Sequence, residues 1–260
     1  MSKSKPYPGT QAVLRAISLL KAFSDEQPEW GLTALSEAVG LNKTTTYRLL
    51  TALESEEMVA RNPQTDDYRL GPAIISLGGY ALRTHDLRDL CRPELQQLAA
   101  DARETAALEL LTGAEILILD EVDSNRVMSG GQAIGARWPA HATSTGKAML
   151  AHLPAEELAA VLPQPLPAMT PYTITDTAAL YADLAQTRQR GYAIASEELE
   201  LGLTAVGAPL FNYDGEVIAA ISLAGPKIRL TAERIPQLGQ LVAEAAQRIS
   251  ILQGWRPAKG

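Results

Sequence analysis

Two predicted short helices separated by Gly40-Leu41-Asn42 constrain the fold of the N-terminal region more than any other feature. Gly40 tolerates the left-handed backbone of a tight turn, and Asn42 is a favourable N-cap for the second helix. That helix is predicted from Lys43 to about Glu57. Its first half carries almost no apolar bulk, whereas its second half carries three leucines, at 49, 50 and 53. A polar start backed by a packed end is typical of the recognition helix of a helix-turn-helix.

A hairpin and a preceding helix complete this N-terminal unit. Residues 58–61 and 68–70 are predicted strands on either side of the turn-rich segment 62–67. An amphipathic helix is predicted over residues 10–24, and the segment 25–31 interrupts the chain after it. A helix-turn-helix followed by a two-stranded hairpin predicts a winged helix-turn-helix domain over residues 1–72.

The polar start of the second helix supplies candidate DNA contacts. Hydroxyls and main-chain amides at a helix start bind phosphates, and basic side chains reach phosphates or a guanine edge. The predicted contacts are Lys43, Thr44, Thr45, Thr46, Tyr47 and Arg48, together with Arg61 in the wing. From the residues alone, one alternative stays open: a helical hairpin in a core, with its polar face in water.

The overall charge does not favour nucleic-acid binding. The chain has a formal net charge of −7. Residues 1–72 carry eight basic and nine acidic side chains, so their net charge is close to neutral and most of the negative charge lies in the remainder. A DNA-binding interpretation therefore depends on where the charges lie and not on their total.

The single cysteine and the distribution of apolar residues indicate the cellular compartment. Cys91 is the only cysteine, which excludes an internal disulfide and a cysteine metal cluster and fits a reducing cytosol. Apolar runs fall short of the roughly 18 residues that a membrane span needs. The first eight residues lack the apolar stretch of a secretory signal. We therefore expect a cytoplasmic protein with no membrane partner.

The C-terminal part mixes helices and strands. Residues 73–105 are predicted to be helical, with a break near Gly78-Gly79 or His85-Asp86. Strands are predicted at 107–111, 116–122, 192–196, 205–211 and 217–224, and helices at 143–150, 155–161, 178–190 and 233–252. This pattern predicts an α+β domain in which an antiparallel sheet is flanked by helices.

Seven segments give the chain a resemblance to the IclR family of regulators. The N-terminal segments are T-Q-A-V-L-R-A-I-S-L-L, L-T-A-L-S-E-A-V-G-L-N-K-T-T-T-Y-R-L-L-T-A-L and Y-R-L-G-P. The C-terminal segments are A-H-A-T-S-T-G-K-A (140–148), R-G-Y (190–192), E-E-L-E-L-G-L (197–203) and A-A-I-S-L-A-G-P (219–226). They lie in the family's order and cover nearly the whole chain.

The resemblance implies an architecture and a function. It implies a winged helix-turn-helix, a linker helix at 73–88 and a GAF-like effector-binding domain at 89–256. It also implies a homodimer or a dimer of dimers, whose recognition helices meet a palindromic operator in double-stranded DNA. The expected function is ligand-responsive regulation of catabolic or related genes, by repression or activation. No enzymatic activity and no cofactor are expected.

The resemblance also places an effector pocket. The positions carried over are Ser144, Thr145, Ala195, Ala205, Ser222 and Ala224, and the further apolar walls are Met128, Trp138, Leu203 and Leu223. Family members that bind small keto acids tend to carry an acidic residue, a cysteine and a serine where this chain has its three alanines. An aromatic or otherwise apolar acid or carbonyl compound is therefore expected to fit better than glyoxylate or pyruvate. The alternative for each alanine and for Trp138 is an ordinary core position.

Two other functional classes were weighed. Ser144, His141 and Lys147 lie close together, which suggests a hydrolase with an appended helical domain, but nothing in the sequence fixes a base beside the serine. The long helical stretch 73–105 suggests an interaction scaffold. Gly146-Lys147 does not match a phosphate loop, and the three histidines lack metal-ligand spacing. No metal is predicted, although some members of the family bind zinc.

Overall fold

The computed structural model describes residues 10–24, 26–83, 86–123 and 134–256. The chain divides into two units, Met1–Thr84 and His85–Gly260. Among the helices in the described ranges, none combines the length and the apolar character needed to cross a membrane.

The first unit contains four helices and three short strands in its described part. They are α1 (Gln11–Leu20), β1 (Glu29–Trp30), α2 (Leu32–Ala38), α3 (Lys43–Ser55), β2 (Val59–Arg61), β3 (Tyr68–Leu70) and α4 (Pro72–Arg83). Gly40 has φ +67°, so the turn between α2 and α3 uses the left-handed conformation that its glycine permits.

The core of this unit joins its helices to its hairpin. It consists of Leu19, Leu35, Leu50, Val59 and Tyr68. The strands form an antiparallel sheet in the order β1-β3-β2, so the wing has three strands instead of the two predicted. Residues 29–30 lie in the segment that was predicted only as a break, because a two-residue strand shows no alternation of apolar and polar side chains.

The second unit is built on one sheet. Its described elements are α5 (Asp86–Ala102), β4 (Thr105–Thr112), β5 (Glu115–Val122), β6 (Arg137–Pro139), α6 (Ser144–Leu150), α7 (Ala155–Val161), α8 (Thr177–Arg190), β7 (Ala193–Ser196), β8 (Leu203–Phe211), β9 (Val217–Pro226) and α9 (Ile235–Leu252). The strands are antiparallel in the order β6-β5-β4-β9-β8-β7. The predicted α+β fold, an antiparallel sheet with flanking helices, is confirmed.

Helices pack on both faces of this sheet. Helix α6 lies against β7, β8 and β9, while α5 and α9 pack on strands from the other side. Because successive side chains of a strand point to opposite faces, each strand serves two different surroundings. The face that carries α6 is the one on which the cavity described below lies.

Two glycines allow α6 to pack closely on its neighbours. A Cβ atom on Gly146 would lie 2.1 Å from the carbonyl oxygen of Ala140, in the segment that follows β6. A Cβ atom on Gly207, in β8, would lie 2.9 Å from the main-chain nitrogen of Thr145. Contacts this short are not tolerated, so a side chain at Gly146 would push α6 away from the segment before it, and one at Gly207 would push the start of α6 away from β8.

Candidate DNA-binding helix and effector cavity

The start of α3 is capped and exposed. The side-chain oxygen of Asn42 accepts a hydrogen bond of 2.8 Å from the main-chain N–H of Thr45, as an N-cap residue should. Lys43 and Thr44 are exposed, and Thr45 is half-buried. The cap therefore fixes a helix start whose polar side chains are presented to solvent.

Of the remaining predicted DNA contacts on α3, two are exposed and one is buried. Tyr47 is 48% exposed and Arg48 is also exposed, on the same side as the helix start. Thr46 is fully buried, and its hydroxyl donates a 3.1 Å hydrogen bond to the carbonyl oxygen of Asn42. Helical spacing puts Thr46 on the same face as the core residue Leu50. Thr46, which was predicted as a DNA contact, therefore does not belong to the exposed surface of the helix.

Arg61 is engaged by the wing itself. Its guanidinium lies 2.7 Å from an Asp66 carboxylate oxygen and 3.8 Å from Glu54, and it donates to the hydroxyl of Tyr68. It also lies 4.7 Å from the centre of the Tyr68 ring. The neighbouring cation Arg69 is exposed and forms no ion pair within the described residues. Sequence reasoning did not select Arg69, although alternation with buried Tyr68 indicates that its side chain points outward.

The second unit contains a small cavity, of about 20 Å³, beneath the start of α6. Strands β4, β7, β8 and β9 contribute to its walls, together with the segment between β7 and β8. The lining residues are Glu109, Ala142, Thr143, Ser144, Thr145, Ala195, Leu199, Leu203, Ala205, Ser222 and Ala224. The structure thus brings together most of the residues predicted for the effector site, namely Ser144, Thr145, Ala195, Leu203, Ala205, Ser222 and Ala224.

Three predicted lining residues are not among them. Leu223 is fully buried but, by strand alternation, points to the face opposite Ser222 and Ala224. Trp138 packs on the apolar cluster that includes Ile116, and its indole N–H has no hydrogen-bond partner among the described residues. Met128 lies outside the described residues. Leu223 and Trp138 therefore support the walls of the domain without bordering the cavity.

Glu109 is a cavity-lining residue that sequence reasoning missed. Its side chain is 4% exposed, the hydroxyl of Thr145 donates to its Oε2, and Ser222 also hydrogen-bonds its carboxyl group. Burial raises the pKa of Glu109 from its ordinary 4.5 to about 7, and the two hydroxyls oppose this rise. A single acidic residue inside the apolar strand 105–112 was the available signal. The expected alanine-lined cavity therefore also contains one carboxyl group.

The start of α6 is also capped, but it is buried. Thr143 Oγ1 accepts a 3.1 Å hydrogen bond from the main-chain N–H of Gly146, and all seven residues of α6 are buried. Lys147 is 1% exposed, and its Nζ lies 2.7 Å from Glu198 Oε1 and 2.9 Å from Asp183 Oδ2. Burial raises the pKa of Glu198, and the lysine opposes that effect. This buried ion cluster fixes α6 to α8 and to the segment that carries cavity residue Leu199.

The residues of the alternative hydrolase site do not form a catalytic pair. His141 Nε2 lies 2.9 Å from the carbonyl oxygen of Pro167, and Nδ1 has no partner within the described part of the chain. No hydrogen bond joins His141 to Ser144 there. Burial lowers the pKa of His141, which keeps its ring neutral. Nor do the described ranges contain three or more His, Cys, Asp or Glu side chains grouped to hold a metal ion.

Comparison with known proteins covers both units. Residues 12–63 match the model of the IclR helix-turn-helix domain, and residues 79–251 match that of the bacterial transcriptional regulator IclR C-terminal domain. The HTH-type transcriptional regulator XynR of Escherichia coli is 32% identical over 95% of this chain and 99% of XynR. The transcriptional repressor IclR of the same organism is 32% identical over 94% of this chain and 90% of its own length.

A solved structure has a similar fold over most of the chain. It is an IclR homologue from Microbacterium hydrocarbonoxydans crystallised in complex with 4-hydroxybenzoate. It is 27% identical, covers 93% of this chain and 98% of its own, and superposes with a TM-score of 0.79.

Proposed function

The chain belongs to the IclR family of bacterial transcriptional regulators, and we propose that it binds a palindromic operator as a dimer and responds to a monoacid or a neutral carbonyl compound with an apolar, aromatic body. Members of this family are DNA-binding regulators and not enzymes. The observation that carries the effector half of the proposal is the cavity under α6, whose walls are mostly alanine and leucine side chains.

The exposed start of α3 supports the DNA half. Lys43, Thr44, Tyr47 and Arg48 project from a capped helix in the unit that matches the helix-turn-helix model. A helix start with this composition offers donors to phosphates and base edges. We propose these four side chains, with Thr45, the wing cation Arg61 and its exposed neighbour Arg69, as the DNA-contacting set. The guanidinium of Arg61 already forms an ion pair with Asp66, so Arg61 is the most constrained member of this set.

Helix α4 supports the proposed dimer. Ile75, Leu77 and Tyr80 are 79%, 53% and 61% exposed within a single chain. Apolar side chains concentrated on one exposed helix are typical of a surface that another chain covers. We propose a linker at 73–88 between a DNA-binding domain at 1–72 and an effector domain at 89–256, in a cytoplasmic homodimer or dimer of dimers. Light scattering at micromolar concentration tests this, since a strictly monomeric protein contradicts it.

The effector class follows from the cavity and from the complex of the relative. Ala195, Ala205 and Ala224 line the cavity with methyl groups and provide no hydrogen bonds to a compact, highly polar acid. Apolar area buried against them contributes about 25 cal/mol per Å². The Microbacterium homologue was crystallised with an aromatic acid. These observations favour an aromatic acid over glyoxylate or pyruvate.

A mobility-shift assay with DNA from upstream of the protein's own gene tests both halves. The full chain should shift that DNA, and an aromatic acid should change the apparent affinity, whereas glyoxylate and pyruvate should not. Ala224→Leu should fill the cavity and remove the response to the acid. Failure to shift the DNA contradicts the operator proposal. Tighter calorimetric binding of glyoxylate or pyruvate contradicts the effector class.

A further inference from the structure

The cavity has one chemically distinct end. Of its described lining residues, only Glu109 carries an ionisable side chain. It projects from the middle of β4, opposite Ala220 of β9 and Ile118 of β5. No salt bridge to it occurs within the described residues. The rest of the lining is apolar or carries hydroxyl groups, so this carboxyl group sets the polarity of the β4 end.

The carboxyl group retains hydrogen-bonding capacity toward the cavity. An ionised carboxylate accepts at about four lone-pair positions, and a neutral acid still accepts while donating one hydrogen. The hydroxyls of Thr145 and Ser222 account for part of this capacity. With the pKa of Glu109 raised to about 7 by burial, both protonation forms are accessible near neutral pH. In either form the group can accept a hydrogen bond from a ligand.

A ligand group that is anionic, or that can only accept hydrogen bonds, would bind poorly at the β4 end of the cavity. A ligand carboxylate placed against Glu109 would face a like charge in a water-poor site, which disfavours the ionised pair. A methyl group there would leave buried acceptor positions without a partner. An apolar residue at position 109 would cover the same part of β4 without the cost of burying a carboxyl group. Glu109 is therefore better explained by ligand recognition than by packing.

We infer that Glu109 determines effector specificity by requiring a hydrogen-bond donor, a hydroxyl or amino group, on the part of the effector that reaches β4. This inference rests on the proposed function, which takes the cavity as the effector site. An acid that binds must place its carboxylate away from β4 and its donor toward it. The effector class is then narrowed from apolar acids to aromatic compounds that carry a hydroxyl or amino substituent.

Matched pairs of compounds test the inference on the full-length protein by calorimetry and thermal shift. The acid pairs are 4-hydroxybenzoate with 4-methylbenzoate and 3-hydroxybenzoate with 3-methylbenzoate, in which a hydroxyl replaces a methyl group of similar size. Phenol with fluorobenzene forms a pair without a carboxylate. For at least one pair we expect the hydroxyl compound to bind about tenfold more tightly or better.

Two variants assign that preference to the carboxyl group. Glu109→Met keeps the length of the side chain and should reduce the preference to within about threefold. Glu109→Gln keeps the shape, and its preference should not change with pH, whereas the wild-type preference should grow between roughly pH 6 and 8 as the carboxyl group ionises. Glu156→Gln, which alters an exposed carboxylate on α7, is the matched control and should behave as wild type.

The outcomes separate this inference from the proposed function. Equal binding of hydroxyl and methyl acids, or a preference that survives in both Glu109 variants, overturns the inference and leaves the aromatic-acid proposal standing. A Glu109-dependent preference seen only with phenol supports the inference and overturns the proposed requirement for an acid or a carbonyl group. If no compound of the panel binds, both are overturned.

Discussion

Helices α3 and α6 begin in nearly the same way and end in opposite environments. Each is capped by a polar side chain that accepts from a main-chain N–H three residues on, Asn42 in α3 and Thr143 in α6. Each carries hydroxyl residues and a lysine in its first turns. Helix α3 presents that start to solvent, whereas every residue of α6 is buried.

The difference teaches that capping chemistry fixes where a helix starts but not what its start can bind. An exposed start with exposed cations suits a large polyanion, because phosphates approach it from solvent. A buried start can face only a small molecule, and its lysine must be neutralised by the protein itself. Substitutions at matched positions of the two helices test this distinction directly.

The largest effect is expected from Lys147→Met. Removing this buried ammonium leaves the buried Glu198 without its cation and Asp183 with only the longer contact to Arg190, which should lower the free energy of unfolding by about 3–5 kcal/mol. Lys43→Met, its exposed counterpart on α3, should change stability by less than about 0.5 kcal/mol but weaken DNA binding. Chemical denaturation and a mobility-shift titration distinguish the two. Equal free energies of unfolding for both variants would contradict the distinction between a buried lysine in α6 and an exposed lysine in α3.

The next effect is a pH dependence that only the buried site can produce. The pKa of Glu109 is raised by burial to about 7 in the folded protein, so between about pH 4.5 and 7 the folded state binds more protons than the unfolded state. Stability from this group is fully present below that window and is lost as pH rises through it, by roughly 3 kcal/mol at most.

Glu109→Gln should abolish this component of the pH dependence. Thermal unfolding measured from pH 5 to 8 in wild type and variant gives the comparison. The hydrogen-bonding neighbours of Glu109, Thr145 and Ser222, carry no charge and do not titrate in this range. Parallel pH profiles for the two proteins would show that the carboxyl group is not buried as described.

A smaller effect, on DNA binding alone, is expected from Arg48→Ala. The side chain is exposed on α3 and makes no ion pair with described residues, so its removal should leave stability unchanged. Loss of a base contact would weaken operator binding by about 1–3 kcal/mol, and loss of a phosphate contact would reduce the salt dependence. Titrations at two salt concentrations separate these results. Unchanged affinity at both removes Arg48 from the interface.

The smallest effect is expected from Arg61→Ala in the wing. Its guanidinium is already held by Asp66 and Tyr68, so we expect a loss of affinity below about 1 kcal/mol. Arg69→Ala, which removes the exposed neighbouring cation, should weaken binding more. The two variants measured side by side in one salt condition rank the wing cations. A larger loss of DNA affinity for Arg61→Ala than for Arg69→Ala would reverse this ranking.

Local signals in the sequence were enough for the elements that depend on local chemistry. The turn at Gly40, the N-cap at Asn42 and the two sides of α3 follow from residue type and spacing, and the structure has them as predicted, except that Thr46 lies on the buried side. Most of the cavity lining was also identified, because the resemblance to a family supplied positions that are distant in sequence.

What could not be predicted depends on contacts between distant residues. Glu109 reads as an isolated charge in a strand, and only the packing of α6 against β4 and β9 reveals that it faces a cavity. Leu223 was predicted to line the cavity together with Ser222 and Ala224, but alternation along a strand places it on the opposite face from those two residues. Trp138 lies on the short strand β6, which has too few residues for a periodic signal.

The alternation along β9 makes this domain a convenient scaffold for building sensors. Ser222 and Ala224 face the cavity, while Ile221 and Leu223 belong to the opposite side and hold the sheet to its other layer. A library that varies only the cavity-facing positions can therefore change which compound is recognised without disturbing the packing that keeps the domain folded. Neighbouring residues of one strand thus serve separate purposes, one set facing the cavity and the other packing the sheet.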